Sequence, residues 1–159
     1  MVTVADLRIV PADPGEPAIR DLIAELDALM HWLYPAESNH LLDVDALRKP
    51  NVRFFAAQLA GDVVGCGAYL ACSDYAEIKR MFVAPRCRGL GIARRMLATL
   101  EADAVAAGLP FARLETGIHQ PEALGLYERA GYCYRPPFGD YAEDPLSVFM
   151  EKPLAVAEP

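Results

Sequence analysis

The segment VAPRCRGLGIARRM, Val83–Met96, sets Gly89 and Gly91 among Arg86, Arg88, Arg94 and Arg95. Glycines there remove Cβ atoms and let backbone N–H groups come close to a ligand. The residues from Ile92 onward have a helical period, and a helix start offers unpaired donors and partial positive charge. Arg86-x-x-Gly89-x-Gly91 is therefore suited to cradling a pyrophosphate. Other devices share this look. A dinucleotide fingerprint needs a third glycine where Arg94 stands, and a P-loop needs a Gly-Lys-Ser/Thr that is absent. A plain strand-to-helix turn with solvated arginines also satisfies the spacing. The loop alone leaves the ligand open.

The surrounding chain must hold that loop. Its 159 residues suit one domain, spanning 1–159, and a hydrophobic fraction of 53% is enough to fill a core. No segment reaches membrane-spanning length, and the N-terminus reads as no signal peptide, so a cytoplasmic protein with no membrane partner is expected. A net charge of -7 argues against nucleic acid as a partner. Cys66, Cys72, Cys87 and Cys133 lack paired spacing, which predicts reduced thiols and no metal site.

Hydrophobic periodicity predicts the elements β-α-α-β-β-β-α-β-α-β-β. DLRIV is a strand, and Ile19 to Leu33 carries a helical stripe stopped by Pro35. NVRFFAAQLAGDVVGCGAYLAC reads as a hairpin, and EIKRMFVA as a third strand closed by Pro85. The helix after Gly91 ends at Gly108, FARLETG is the next strand, and Pro121 opens a second helix ending near Ala130. YCYR and SVFMEKPL supply two final strands. Strand, helix, strand around Glu77 to Thr116 is a right-handed crossover, so those two strands should be parallel neighbours in an otherwise largely antiparallel sheet. Alternation places Glu77, Lys79, Met81 and Val83 on one face, with Arg80 and Phe82 on the other. The fold class is a mixed α/β sheet with helices on its faces, and not a Rossmann fold.

A second motif narrows the field. QPEALGLYERAGY contains Gln120, Ala123, Leu126-Tyr127 and Gly131-Tyr132. Together with the glycine loop, and in register with the predicted elements, it resembles the GNAT superfamily of acyl-CoA-dependent N-acyltransferases over nearly the whole chain. HLLDVDALRKPNVRFFAA, VVGCGAYL, EIKRMFV, LETG and PFGDYAEDPLSVFM look like the bacterial YsnE-like subgroup.

The resemblance implies acetyl-CoA as cosubstrate. Backbone amides from Arg88 through Gly89, Leu90, Gly91 and Ile92 to Ala93 would hold its pyrophosphate, with Arg86 adding charge. The strand edge at Met81, Phe82 and Val83 would pair with the pantetheine arm, and an amide there could polarise the thioester carbonyl. Gln120, where the family has Asn, and Ala123 would complete the cofactor contacts. Tyr127 matches the family's general acid, a phenol that can protonate a departing thiolate. Glu77 matches a glutamate that some members use as base; an ion pair with Lys79 is the competing role. Glu115 and Thr116, His40, Lys79 and Tyr141 are candidate acceptor contacts. Lys79, Arg53 and Arg80 are open to an acceptor carboxylate.

The expected activity is acetyl transfer to a primary amine of a small molecule, by direct attack in a ternary complex. Cys87 and Cys133 lack an evident histidine partner for covalent catalysis. A catalytically degenerate acyl-CoA sensor is the alternative, and a longer acyl chain is a variant of the first reading. Family habit makes a homodimer possible.

Overall fold

A computed structural model describes residues 4–154. The strands are β1 (Leu7–Pro11), β2 (Val52–Leu59), β3 (Asp62–Ala71), β4 (Tyr75–Val83), β5 (Phe111–Gly117), β6 (Cys133–Arg135) and β7 (Ser147–Pro153). The helices are α1 (Pro17–Leu33), α2 (Val44–Leu47), α3 (Ile92–Ala106) and α4 (Pro121–Arg129). This is the predicted order, with short 3-10 turns added at 4–6, 36–38 and 85–87. The strands form one seven-stranded sheet in the order β1-β2-β3-β4-β5-β7-β6.

Helices cover both faces. The stripe Ile19, Leu22, Ile23, Leu26 and Met30 presses α1 onto Phe54, Ala56, Cys66, Ala68, Phe82 and Ala84. On the opposite face Ile92, Met96, Leu97, Leu100 and Ala104 of α3, with Tyr127 of α4, pack on Phe55, Ala57, Ile78 and Leu114. Pro17 and Pro121 each sit in the first turn of a helix, where the missing N–H costs nothing. No helix among the described residues is long and apolar enough to cross a membrane.

Two features of β4 position the site. The strand is parallel to β5, but their pairing runs only from Tyr75↔Phe111 to Ile78↔Leu114. Beyond Ile78 the neighbours separate, because β5 continues against β7 as far as Gly117↔Ser147 while β4 follows β3. The second feature is a bulge. Lys79 pairs with Ala68 and Phe82 with Cys66, so Arg80 and Met81 together oppose Gly67. Arg80 has φ +58°, a left-handed backbone rare for an arginine.

The bulge reverses the strand's parity. Lys79 and Phe82 share the α1 face with their partners Ala68 and Cys66, whereas Met81 and Val83 join the core under α3. The expectation that Glu77, Lys79, Met81 and Val83 share one face is thereby overturned. Glu77 and Lys79 lie on the α1 side; Met81 and Val83 do not. The thiol of buried Cys66 donates to the Arg80 carbonyl at 3.2 Å, and burial pushes that thiol up to about 12.

Candidate active site

The gap between β4 and β5 opens into two adjoining cavities. The larger, about 850 Å³, lies between the Arg88–Arg94 segment, the end of β4, and α4. The smaller, about 100 Å³, lies on the α1 side beneath the segment Ser38–Leu42. Leu26, Met81, Gln120, Ala123 and Tyr127 line both, so the two spaces meet at the strand gap.

The larger cavity has the donors of an anion site. Gly89 and Gly91 have φ +82° and +77°, with nothing within 4 Å of where a Cβ would stand. The first backbone bond of α3 is Arg95 N–H to Gly91 O, leaving the amides of Ile92, Ala93 and Arg94 without helical partners. Gly91 caps the helix with no side chain. The Arg88 amide is excluded from this set, because it donates to Pro85 O at 3.3 Å. Its guanidinium donates to Val83 O at 3.3 Å and lies over the Phe82 ring. Arg86 and Leu90 are exposed and lie outside the residues that line the cavity. Met81, Phe82, Val83, Arg88, Ile92, Ala93, Gln120, Ala123 and Tyr127 do line it. Ala84 N–H donates to Val64 O on β3; by alternation the Val83 amide points the other way, toward the gap. A pyrophosphate with a peptide-like arm fits these donors: open amides at the helix start, then a free strand edge.

The smaller cavity gathers His40, Lys79, Arg80, Glu115 and Thr116 with Tyr127. Its charges are mostly engaged. Lys79 Nζ is 2.9 Å from Glu77 Oε2, and both side chains are nearly buried. Tyr141 donates to the same carboxylate at 2.6 Å and accepts from Lys79. The Tyr141 ring meets His40 edge-on, at 5.1 Å between centroids. Arg80 donates to Leu42 O from Nε at 3.0 Å and from a terminal nitrogen at 2.6 Å, and it pairs with Asp27. Arg53, also considered for a carboxylate, is elsewhere: it forms a two-pronged bond with Asp103, at 3.0 and 3.1 Å.

Glu77 and Tyr141 thus stand behind the cavity wall rather than on it, while Glu115 lies on the wall itself. No salt bridge engages Glu115 among the described residues. Burial raises its carboxyl above the usual range, with Glu77 adding to the rise; Ser147, His40 and Lys79 oppose it. Tyr127 is 6% exposed. Burial first, and then the charge of Glu115, push its phenol well above the ordinary value, so it holds its proton at neutral pH.

Residues that sequence reasoning passed over also line these spaces. Leu29 and Leu33 of α1, and Arg129 of α4, reach the larger cavity. Tyr34, just past α1, lines the smaller one. The α1 leucines carry the same stripe that signals core packing, and nothing local separates the two roles.

A mixed sheet with a parallel pair splayed over a glycine-rich helix start is the architecture of acyl-CoA N-acyltransferases. The family model described as acetyltransferase (GNAT) family matches residues 19–132. The chain is 50% identical over 151 residues to an IAA acetyltransferase of Azospirillum brasilense, covering 94% of this chain and 99% of that one. It is 37% identical over 129 residues to the uncharacterised N-acetyltransferase YsnE of Bacillus subtilis, covering 79% and 85%. An acyl-CoA N-acyltransferase structure from Klebsiella pneumoniae superposes with a TM-score of 0.81 at 38% identity, covering 95% and 99%. A more distant acetyltransferase of the same fold, from Elizabethkingia anophelis, is 18% identical with a TM-score of 0.70 over 94% and 99%, and is solved with acetyl-CoA bound. The chain belongs to the GNAT acetyltransferase family, and it is an acyltransferase with acetyl-CoA as cosubstrate.

Proposed function

We propose that the protein transfers the acetyl group of acetyl-CoA to a primary amine of a small molecule, by direct attack within a ternary complex. The observation that carries this reading is the meeting of the two cavities at Tyr127, with Glu115 on the acceptor side and the open amides on the other. Acetyl-CoA supplies an activated thioester when bound. The open amides of Ile92, Ala93 and Arg94, at the end of the glycine loop, hold its phosphates, and the β4 edge at Val83 donates to the thioester carbonyl, stabilising the charge that develops on its oxygen.

On the acceptor side, Glu115 is the carboxylate on the cavity wall, and no salt bridge engages it among the described residues. It receives the amine as a cation and takes one proton from it. The neutral nitrogen attacks the carbonyl carbon, the C–N bond forms and the C–S bond breaks. Tyr127 gives its proton to the departing sulfur and is reprotonated by the second proton that the nitrogen sheds as the amide forms. Glu77, the base suggested by family likeness, is instead held by Lys79 and Tyr141, and it supports the wall that His40 and Lys79 present. Lys79 and Arg80 already carry carboxylate partners, which favours an amine over an acid as acceptor. A cytoplasmic setting is supported by the four free cysteines.

The test is thiol release from acetyl-CoA with a panel of small primary amines, amino acids and polyamines, each product checked by mass. IAA, the compound that names the Azospirillum relative, belongs in the same panel. A mass gain of one acetyl group on an amine supports the reading. Tight acetyl-CoA binding with no acceptor turned over supports the degenerate sensor instead.

A further inference from the structure

Tyr34 lies at the C-terminal end of α1, far in sequence from the α4 motif, yet it is tied to the turn that starts α4. Its hydroxyl accepts from the His119 amide at 3.1 Å and donates to Gln120 Oε1 at 3.2 Å. The ring stacks on the His119 imidazole, with centroids 5.5 Å apart and planes 23° apart. It also fills the space over Gly117, where an added Cβ would fall 1.8 Å from the hydroxyl oxygen. One side chain from the acceptor face therefore clamps the whole β5–α4 turn. Tyr34 itself is only 6% exposed.

The hydrogen-bond inventory gives this clamp a chemical sense. A phenol has one proton to give. Among the described residues that proton goes to Gln120 Oε1, and this settles which way round the amide stands. Gln120 occupies the N-cap of α4 but makes no side-chain cap bond. Its oxygen is spoken for, and its two N–H donors remain, at a residue that lines both cavities. The pantetheine arm of acetyl-CoA carries amide carbonyls, which are acceptors in need of donors.

We propose that Tyr34 is a positioning residue, whose hydroxyl orients the Gln120 amide so that its NH2 group donates to a carbonyl of the cofactor arm. This rests on the reading that the arm passes Gln120 on its way to Tyr127. Gln120 alone, with a free amide, would spend its time between two orientations, one of which turns an oxygen toward the cofactor carbonyl.

Calorimetric titration with acetyl-CoA tests this on the wild type, Tyr34→Phe, Gln120→Ala and the double variant, each checked for an unchanged fold by circular dichroism. Tyr34→Phe is expected to weaken binding about 5- to 10-fold, the size of one lost neutral hydrogen bond. The double variant is expected to bind no worse than Gln120→Ala, because Tyr34 acts through that amide. Gln120→Glu is a second route if Tyr34→Phe does not fold: it keeps an acceptor for Tyr34, removes the donors, and should lose at least as much affinity as Gln120→Ala. Wild-type affinity in Tyr34→Phe or in Gln120→Glu, or losses that add in full, would overturn the proposal while leaving the cofactor reading intact. Failure of the folded wild type to bind acetyl-CoA would overturn both.

Discussion

Lys79 and Met81, two residues apart on β4, project from opposite faces of the sheet. Regular alternation would put them on the same face; Arg80 between them, at φ +58°, reverses the parity. The reversal sends Glu77 and Lys79 to the acceptor side, and leaves Met81 and Val83 in the core under α3. It also carries the Arg80 side chain to the Leu42 carbonyl, anchoring the segment that roofs the smaller cavity.

Arg80→Ala should therefore act at a distance. Loss of the guanidinium leaves the Leu42 carbonyl without its donor and Asp27 without its partner, for about 1–3 kcal/mol of stability. A urea melt reads that loss. In steady-state kinetics the variant should raise the KM of the amine more than the KM of acetyl-CoA, because the roof it anchors belongs to the acceptor side.

Gly117→Ala tests the close approach at the end of β5. The new methyl would stand 1.8 Å from the Tyr34 hydroxyl, so the tyrosine must leave. The expected cost is about 1–3 kcal/mol from overpacking, read as a lower Tm. Affinity for acetyl-CoA should fall with it, through the Gln120 contact.

Glu115 ties stability to pH. Its folded-state pKa lies above the ordinary glutamate value because burial disfavours the charge. The folded protein then binds the proton more tightly than the unfolded chain does. Stability is lost as pH rises from the ordinary value through the raised one. Glu115→Gln removes that loss. Its Tm advantage over wild type should be absent below about pH 4 and reach its full size above the raised pKa. A series of thermal melts across pH checks the sign; an advantage that grows toward acid would contradict it.

Much of this architecture was legible in the sequence. Helical stripes, Pro35, Pro85 and Pro121, and the glycines at helix ends delimit the elements, and the βαβ crossover predicts the parallel pair. The glycine-rich start of α3 was legible because glycine spacing is a backbone signal. The bulge was not: left-handed backbone is expected at glycine or asparagine, and no local rule puts it at Arg80. That one residue misassigned the face of Met81 and Val83. Tyr34 reads as the end of a helix, and its bonds to His119 and Gln120 exist only through tertiary contact. Glu77 and Glu115 were both visible as candidates. Their environments separated them, one paired with a lysine and one facing the cavity.

Tyr127→Phe should separate transfer from binding. The ring and its packing against Tyr132 remain, while the proton for the departing sulfur is gone. Turnover should fall about 100-fold or more. Calorimetry should find acetyl-CoA affinity within a few-fold of wild type. Undiminished turnover would remove Tyr127 from the acid role.

The most direct test compares the two glutamates. Thiol release from acetyl-CoA with the best amine of the panel is followed from acid to alkaline pH for the wild type, Glu115→Gln and Glu77→Gln. With Glu115 as base, wild-type kcat/KM falls on the acid side as that carboxyl gains its proton. Glu115→Gln should lose about 100-fold or more and flatten the acid limb, while Glu77→Gln keeps the limb with a loss under about 10-fold. A flattened limb in Glu77→Gln, with Glu115→Gln near wild type, would contradict the account.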